Sequence, residues 1–421
     1  MAEQQDNEVT KVVDHLFRHE SGKMVAVLTR VFGFANIEQA EDIVQDTLIR
    51  ALETWKYGKI PDNPQAWLYR TAKNKAIDLI RREKIKHKIE SELAPLLKSE
   101  YTLVSSMNEM FRENEIKDSQ LRMMFACCHP SINLESQLTL MLKTLCGLSS
   151  KEVGNAFLSS EDTIQKRLYR TKEKIKEEHI SLDYPGAESM PARLDTVLKA
   201  LYLLFNEGYN SSHPEKLIRD DLCEEAIRLT LLLTENPKTN LPQTNALLAL
   251  MCYQASRFGA RLDDKGFMVL LKDQDRTHWN KFLIERGNIY LNHAAEGDMI
   301  YEYHFEAAIA SLHANAKSYE ETNWSLILQL YNNLSNRTHN PMVAINRAIV
   351  LGEVEGYENA ITELEMIKGF NNNCYYNTSL GEMYLRAGDK DLATKYFQHA
   401  LELTSSNAEI ELIRRKINLC R

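Results

Sequence analysis

EDIVQDTLIRALETWKYGKIPDNPQAWLYRTAKNKAIDLIRRE, residues 41–83, decides the fold. From Ala40 the apolar residues recur as Ala40, Ile43, Val44, Leu48, Ala51, Leu52 and Trp55, a spacing of three and four that draws one buried stripe along a helix. The opposite face carries Asp42, Gln45, Asp46, Ile49 and Glu53. An acidic row with one aliphatic in it suits a protein groove and is repelled by phosphate. Gly58, Pro61 and Pro64 then break the helix, and Asn63 is placed to cap a second one, with Pro64 in the first turn where its missing N–H costs nothing. This second helix reverses the charge. Trp67, Arg70, Asn74, Ile77 and Arg81 share one side, and Lys73, Lys75, Arg82, Lys84, Lys86 and Lys88 crowd beside them. Cations release counterions from phosphate and indole stacks on an unpaired base, so the pattern predicts a nucleic-acid surface.

An acidic partner-facing helix, a Pro/Gly loop and a basic, Trp-bearing helix together resemble region 2 of the sigma-70-type initiation factors, in their extracytoplasmic-function branch. EDIVQDTLIRAL and PQAWLYRTAKNKAIDLIRR carry the resemblance. It implies that the first helix docks on core RNA polymerase through Asp42, Gln45, Asp46, Ile49 and Glu53. It also implies that the loop and second helix melt and read the −10 element, with Trp67, Arg70, Lys73, Asn74, Arg81 and Arg82 as contacts. Without the resemblance, the same residues read as an amphipathic helical hairpin with solvated charges.

Upstream, Val12, Val13, Leu16 and Phe17, then Met24, Val27, Leu28, Val31 and Phe32, form two helical stripes parted by Ser21-Gly22, expected beneath the opening element. Downstream, residues 89–119 turn irregular and acidic and read as a tether. Helical spacing returns with Met124, Phe125 and Cys128, then with Leu134, Leu138, Met141, Leu142 and Leu145 beyond Pro130. In LSSKEVGNAFLSSEDTIQKRLYRTKEKIKEE, Ser149 and Glu152 make a capping box and Val153, Ala156 and Phe157 a short apolar face. Ser160 caps a helix whose Ile164, Leu168, Thr171 and Ile175 turn inward. Thr163, Lys166, Arg167, Arg170 and Lys174 line its outer strip, flanked by Gln165 and Lys172. A short helix, a tight turn and a basic second helix constitute a helix-turn-helix, which sets its second helix in the major groove. The stretch is similar to region 4 of the same sigma branch, implying −35 readout by Thr163, Gln165, Lys166, Arg167, Arg170, Lys172 and Lys174. Gly154 inside the first helix and Phe157-Leu158 at the turn depart from the family pattern.

DYPGAESMP, within residues 181–191, has linker composition, and the helical stripes beyond it show no strand-like alternation. Leu380, Gly381, Tyr384, Ala393, Phe397 and Ala400 fall at the positions of a tetratricopeptide repeat, and Ala348, Leu351, Ala360, Leu364 and Ile367 precede them by about one repeat. Regions 2 and 4 followed by a long helical extension are similar to the extracytoplasmic-function subgroup with a fused C-terminal domain, where the extension is thought to regulate activity. The expected fold is therefore all-α. Its parts are region 2 over 1–88, a linker over 89–119, region 4 over 120–180, a linker over 181–191 and a regulatory extension over 192–421.

Composition sets bounds on function. A chain of 421 residues exceeds one hydrophobic core. Its net charge of −8 disfavours nonspecific coating of nucleic acid, so DNA contacts must be local basic patches. Seven cysteines without regular spacing read as reduced thiols of a cytoplasmic protein. No apolar run suits a membrane span, and the acidic start MAEQQDNEVT is not a signal peptide. Cys127-Cys128-His129 lacks a second pair at ligand spacing and reads as core, so no metal and no cofactor is expected. The carboxylates around Glu207 and Asp273 to Arg276, near Trp279, read as helix ends or buried ion pairs more readily than as acid-base catalysts. No catalytic residue is assigned. The expected partners are core RNA polymerase and promoter DNA, with a protein or small ligand at the C-terminal helical domain. The alternatives are a helix-turn-helix regulator that binds duplex DNA alone, with the repeats sensing a ligand, and a helical enzyme with an accessory DNA-binding half.

Overall fold

Heptad-like stripes from end to end dictate helices, and helices are what form. The computed structural model describes residues 2–57, 60–85, 100–157, 159–211, 218–297 and 299–421. Among them there are α-helices and short 3-10 turns, and no strand beyond one isolated bridge between Leu262 and Met268. The class is all-α, as the periodicity predicts. The chain divides into two compact units, Met1–Phe205 with Glu224–Leu233, and Asn206–Cys223 with Thr234–Arg421.

In the first unit, α1 (Ala2–Phe32) packs on α2 (Ile37–Tyr57), α3 (Pro64–Ile85) and, further along the chain, α5 (Glu113–Cys127). The core holds Met24, Val27, Leu28 and Val31 from α1, Val44, Leu48 and Ala51 from α2, and Leu68, Ala72 and Ala76 from α3. Two stripes parted at Ser21-Gly22 were the expectation; α1 instead runs unbroken through both residues, because Gly22 marks a close helix approach and not a turn. The side chains of Val12 and Phe17 lie outside the described residues. Leu52, expected in the buried stripe of α2, is exposed at its flank.

Within 89–119, read as irregular, α4 (Glu100–Met110) and the start of α5 are helical, while 86–99 lie outside the described residues. The sequence signal was weak because α4 buries only one edge, through Leu103 and Met107. Then come α6 (Leu134–Thr144), α7 (Ser150–Ala156) and α8 (Glu161–Glu177). His179 adopts the left-handed conformation (φ 48°) just past α8, and the chain turns so that Ile180 and Leu182 bury. The DYPGAESMP stretch is tied down where Tyr184 donates to Asp118 of α5 at 2.8 Å and Arg122 lies over the Tyr184 ring. The division into units falls after it, within α9 (Met190–Tyr209). Up to Phe205, α9 supplies Leu194, Val197, Leu198, Leu201 and Leu204 to the buried interior, and Arg193 donates to the Phe125 carbonyl. Residues 224–233 of α10 (Asp220–Thr234) belong to the same unit, where Arg228 pairs with Glu225 and reaches Gln120 of α5.

The second unit continues with α11 (Pro242–Ala255), a short α12 (Phe258–Arg261), α13 (Lys281–Ala294) and α14 (Glu302–Asn315). After these follow α15 (Trp324–Ser335), α16 (Pro341–Glu355), α17 (Tyr357–Met366), α18 (Cys374–Ala387), α19 (Lys390–Leu403) and α20 (Asn407–Cys420). From α13 onward each helix packs on the next. Ala348, Leu351, Ala360 and Leu364, and in turn Leu380, Gly381, Ala393, Phe397 and Ala400, are buried between these pairs. Polar chemistry joins the last layers: Glu382 of α18 accepts from buried Lys416 of α20, from Arg386 and from Lys272, and Arg386 also pairs with Glu353 of α16. Burial by itself would raise the Glu382 carboxyl, but Lys416, Lys272 and Arg386 hold it down at about 2.

Candidate nucleic-acid and partner interfaces

Helix α2 presents one continuous outer row. Asp42, Gln45, Asp46, Ile49 and Glu53 are all exposed, Ile49 at 53%. Ile49 is a single aliphatic among carboxylates, an arrangement that an apolar groove on a partner can accept. Asp46 also receives Lys75 of α3 at 3.0 Å, so the acidic row and the basic helix meet along one edge.

The start of α3 is built as the sequence specifies, with Asn63 Oδ1 accepting from the Ala66 amide at 2.9 Å and Pro64 opening the helix. Arg70, Asn74, Arg81 and Arg82 are exposed. Arg81 pairs with Asp78 one turn back at 3.3 Å, and Lys73 donates to Asn108 of α4. Two members of the expected face are placed differently. Ile77 is buried, and Trp67 sits half-buried with its ring edge-on to buried Trp55, centroids 5.3 Å apart. The indole therefore anchors α3 to α2 and only part of it faces outward. Gly58, Lys86 and Lys88, and the side chain of Lys84, lie outside the described residues.

Sequence reasoning missed the other wall of this site. A groove of about 650 Å³ runs between α3 and α4, with Arg70, Lys73, Asn74 and Arg81 on one side and Asn108 and Phe111 on the other. The available signal was only the Asn and Phe of NEMF in an otherwise aperiodic stretch. Tyr69 also lines it, tilted against Phe111 and donating to Glu20 of α1. Burial, and next the Glu20 carboxylate, push the Tyr69 phenol far above its ordinary range, so it stays a donor.

The α7–α8 pair is capped as read. Ser149 and Glu152 exchange hydrogen bonds in a complete capping box, and the Ser160 hydroxyl accepts from the Thr163 amide at 3.2 Å. Gly154, a departure from the family pattern, has a local cause: a Cβ there would lie 2.6 Å from the Ser159 carbonyl oxygen. The Gly154 carbonyl accepts from the Ser159 amide at 2.8 Å, closing the turn at Phe157; Leu158 lies outside the described residues. Ile164, Leu168, Thr171 and Ile175 are buried. Thr163, Gln165, Lys166, Arg170 and Lys174 are exposed, and Lys166 pairs with Asp162 one turn back at 2.7 Å. Arg167 and Lys172 are not free cations on this strip. Arg167 bonds Glu135 of α6 at 2.7 Å, and Lys172 bonds Glu41 of α2 at 2.6 Å, with Glu38 at 3.9 Å.

The stretches with chemistry-bearing side chains make the following contacts. Cys127 and Cys128 are buried, with Cys127 pushed up to about 12 by burial, and no metal-holding group of His, Cys, Asp or Glu occurs among the described residues. Asp275 accepts from the Thr277 amide and so holds the 3-10 turn beside Trp279. Among the described residues no helix is long and apolar enough to cross a membrane.

Comparison with known proteins places two segments of the chain in families. Residues 16–85, which include α2 and α3, match the family described as Sigma-70 region 2. Residues 193–295 match a family of unknown function, DUF6596. An uncharacterized protein of Rhizobium meliloti is 33% identical over 395 residues, covering 91% of this chain and 90% of that one. The ECF RNA polymerase sigma factor SigE of Mycolicibacterium smegmatis is 25% identical over 164 residues, 39% of this chain and 60% of that protein. The chain thus carries a Sigma-70 region 2 domain over residues 16–85 and belongs to one family with the Rhizobium protein.

Proposed function

We propose that this chain is an initiation factor of the extracytoplasmic-function type that binds core RNA polymerase and directs it to promoters. The observation that carries the reading is the exposed acidic row of α2, with Ile49 in it, set beside the exposed Arg70, Asn74, Arg81 and Arg82 of α3. One face rejects phosphate and offers an apolar anchor; the adjacent one attracts phosphate. In this reading residues 1–88 are region 2, 120–180 are region 4, and 89–119 and 181–191 connect the domains. The α7–α8 pair is a helix-turn-helix that places Thr163, Gln165, Lys166 and Arg170 at the −35 duplex, with Lys174 on phosphate. Residues 192–421 form a regulatory extension ending in tetratricopeptide-like pairs, a reading supported by the small residues Ala348, Ala360, Gly381 and Ala393 buried between successive helices. The protein acts in the cytoplasm and has no turnover of its own, since the polymerase forms the phosphodiester bonds.

Run-off transcription with purified core polymerase tests this. A promoter-dependent transcript that requires the chain is expected. A chain that shifts duplex promoter DNA unaided and adds nothing to polymerase is instead a free-standing regulator.

A further inference from the structure

A guanidinium taken out of bulk water is costly unless a carboxylate or a set of acceptors answers its charge. The second unit gathers three that no carboxylate answers. Arg257 stands between α11 and α12, Arg261 closes α12, and Arg276 opens the 3-10 turn Arg276–His278. Among the described residues none of the three forms an ion pair, and exposed Glu320 acts on Arg276 only through its field. Burial lowers Arg261 and Arg276 below their ordinary values, and the charge of Arg257 lowers each further, so the three cations oppose one another. Backbone carbonyls and rings offset part of the cost. Arg261, 7% exposed, donates to the Tyr209 carbonyl and lies over that ring at 3.7 Å, and Arg276 donates to the His313 and Ala316 carbonyls at 2.6 and 2.7 Å. Arg257 is served least. Its Nε reaches the Gln274 side-chain oxygen at 3.2 Å, and among the described residues its two terminal nitrogens have no acceptor.

Buried polar groups with nothing to bond lie beside this charge. Trp279, 3% exposed, has the Arg257 and Arg276 guanidiniums over its ring at 5.4 and 4.8 Å, and its indole N–H has no acceptor. His313 of α14 has an Nδ1 that is shut off from solvent and equally unbonded. Burial first, and then the charges of Arg257 and Arg276, hold its imidazole down at about 3, so the ring is neutral. Interiors rarely leave such groups unpaired. Water would complete the hydrogen bonds and leave the charge unanswered, and the same charges repel a metal ion. A negatively charged acceptor meets both needs. We infer that Arg257, with Trp279 and His313 beside it, forms a binding site for a small oxyanion, the carboxylate or phosphate group of a metabolite-sized ligand, in the added field of Arg261 and Arg276. A guanidinium fork matches either group with paired N–H donors. All of these residues belong to the second unit, and the site does not depend on the sigma-factor reading.

The test is calorimetric titration of the full chain at constant ionic strength, with inorganic phosphate and with acetate as probes. One-site saturation by at least one of them is expected, with a Kd of about 1 mM or tighter. Arg257→Ala weakens it about tenfold or more, and Arg257→Lys, which keeps the charge and loses the fork, falls between. Lys390→Ala, at the exposed start of α19, leaves it unchanged. Nuclear magnetic resonance of the His313 ring gives a second readout: its titration moves to higher pH when the probe saturates the parent chain, because a nearby negative charge favours the protonated ring. If Arg257→Ala shifts the melting midpoint, Arg257→Lys and the His313 titration of the parent chain decide. The tighter probe names the group that the ligand presents. No saturation by either probe, saturation that Arg257→Ala leaves intact or Lys390→Ala weakens equally, or a His313 titration that stays in place overturns the proposal.

Discussion

Gly22 of α1 stands directly against the backbone of Leu145, and a Cβ at position 22 would lie 2.1 Å from the Leu145 carbonyl oxygen. A helix gains about 1 kcal/mol when glycine becomes alanine. Here the obstacle is backbone, which cannot swing aside, and overpacking of this kind costs about 1–3 kcal/mol or more. Gly22→Ala is therefore expected to lower the thermal midpoint of the first unit despite its better helix propensity. An unchanged or raised midpoint in calorimetry contradicts that packing.

The outer row of α2 predicts a separation of binding from stability. Ile49→Ala removes a side chain that already faces water, so the melting temperature should hold while affinity for core polymerase falls about tenfold, or ~1.4 kcal/mol. Asp46→Asn should weaken binding and steepen no melting defect, since its pair with Lys75 is exposed. Equal affinity of both variants in fluorescence titration would remove this face from the interface.

Helix α8 should divide its residues by role. Lys174→Ala is expected to weaken binding to every −35 sequence alike and to reduce the salt slope by about 1. Gln165→Ala should change which base pair is preferred, by about 1–3 kcal/mol at one position. Binding measured across a panel of −35 variants at two salt concentrations distinguishes the two; a uniform loss for Gln165→Ala excludes base readout by that amide.

Removing Glu382 should cost more than any surface charge. Glu382→Ala leaves Lys416 buried without its carboxylate, a change worth about 3–5 kcal/mol. The pH dependence follows from the sign of the shift. A carboxyl held at about 2 when folded, against 4.5 ordinarily, contributes stability that is complete above the ordinary value and is lost as pH falls through about 2. Acid titration of the unfolding midpoint should show that loss in the parent and not in Glu382→Gln.

Helix identity and buried stripes were legible in the sequence because three-and-four spacing states them directly, as for Ile164, Leu168, Thr171 and Ile175. Caps were legible for the same local reason, at Asn63, Ser149 and Ser160. Contacts across long separations were not. Spacing puts Lys172 near the basic strip, and nothing local says that Glu41, far upstream, claims it. The half-burial of Trp67 against Trp55 depends likewise on how two helices cross. Helix α4 escaped notice because its apolar face is too narrow to set a period, and with it went Asn108 and Phe111.

The chain passes out of the first unit after Phe205, comes back for residues 224–233, and departs again. A gene cut after residue 180 would strip the first unit of leucines it takes from α9 and of Arg228, and the expected product is an insoluble fragment. Transplanting the C-terminal portion onto an unrelated host by end-to-end joining should fail for the same reason: its first two helices are shared property, and inheritance of one half requires inheritance of the other.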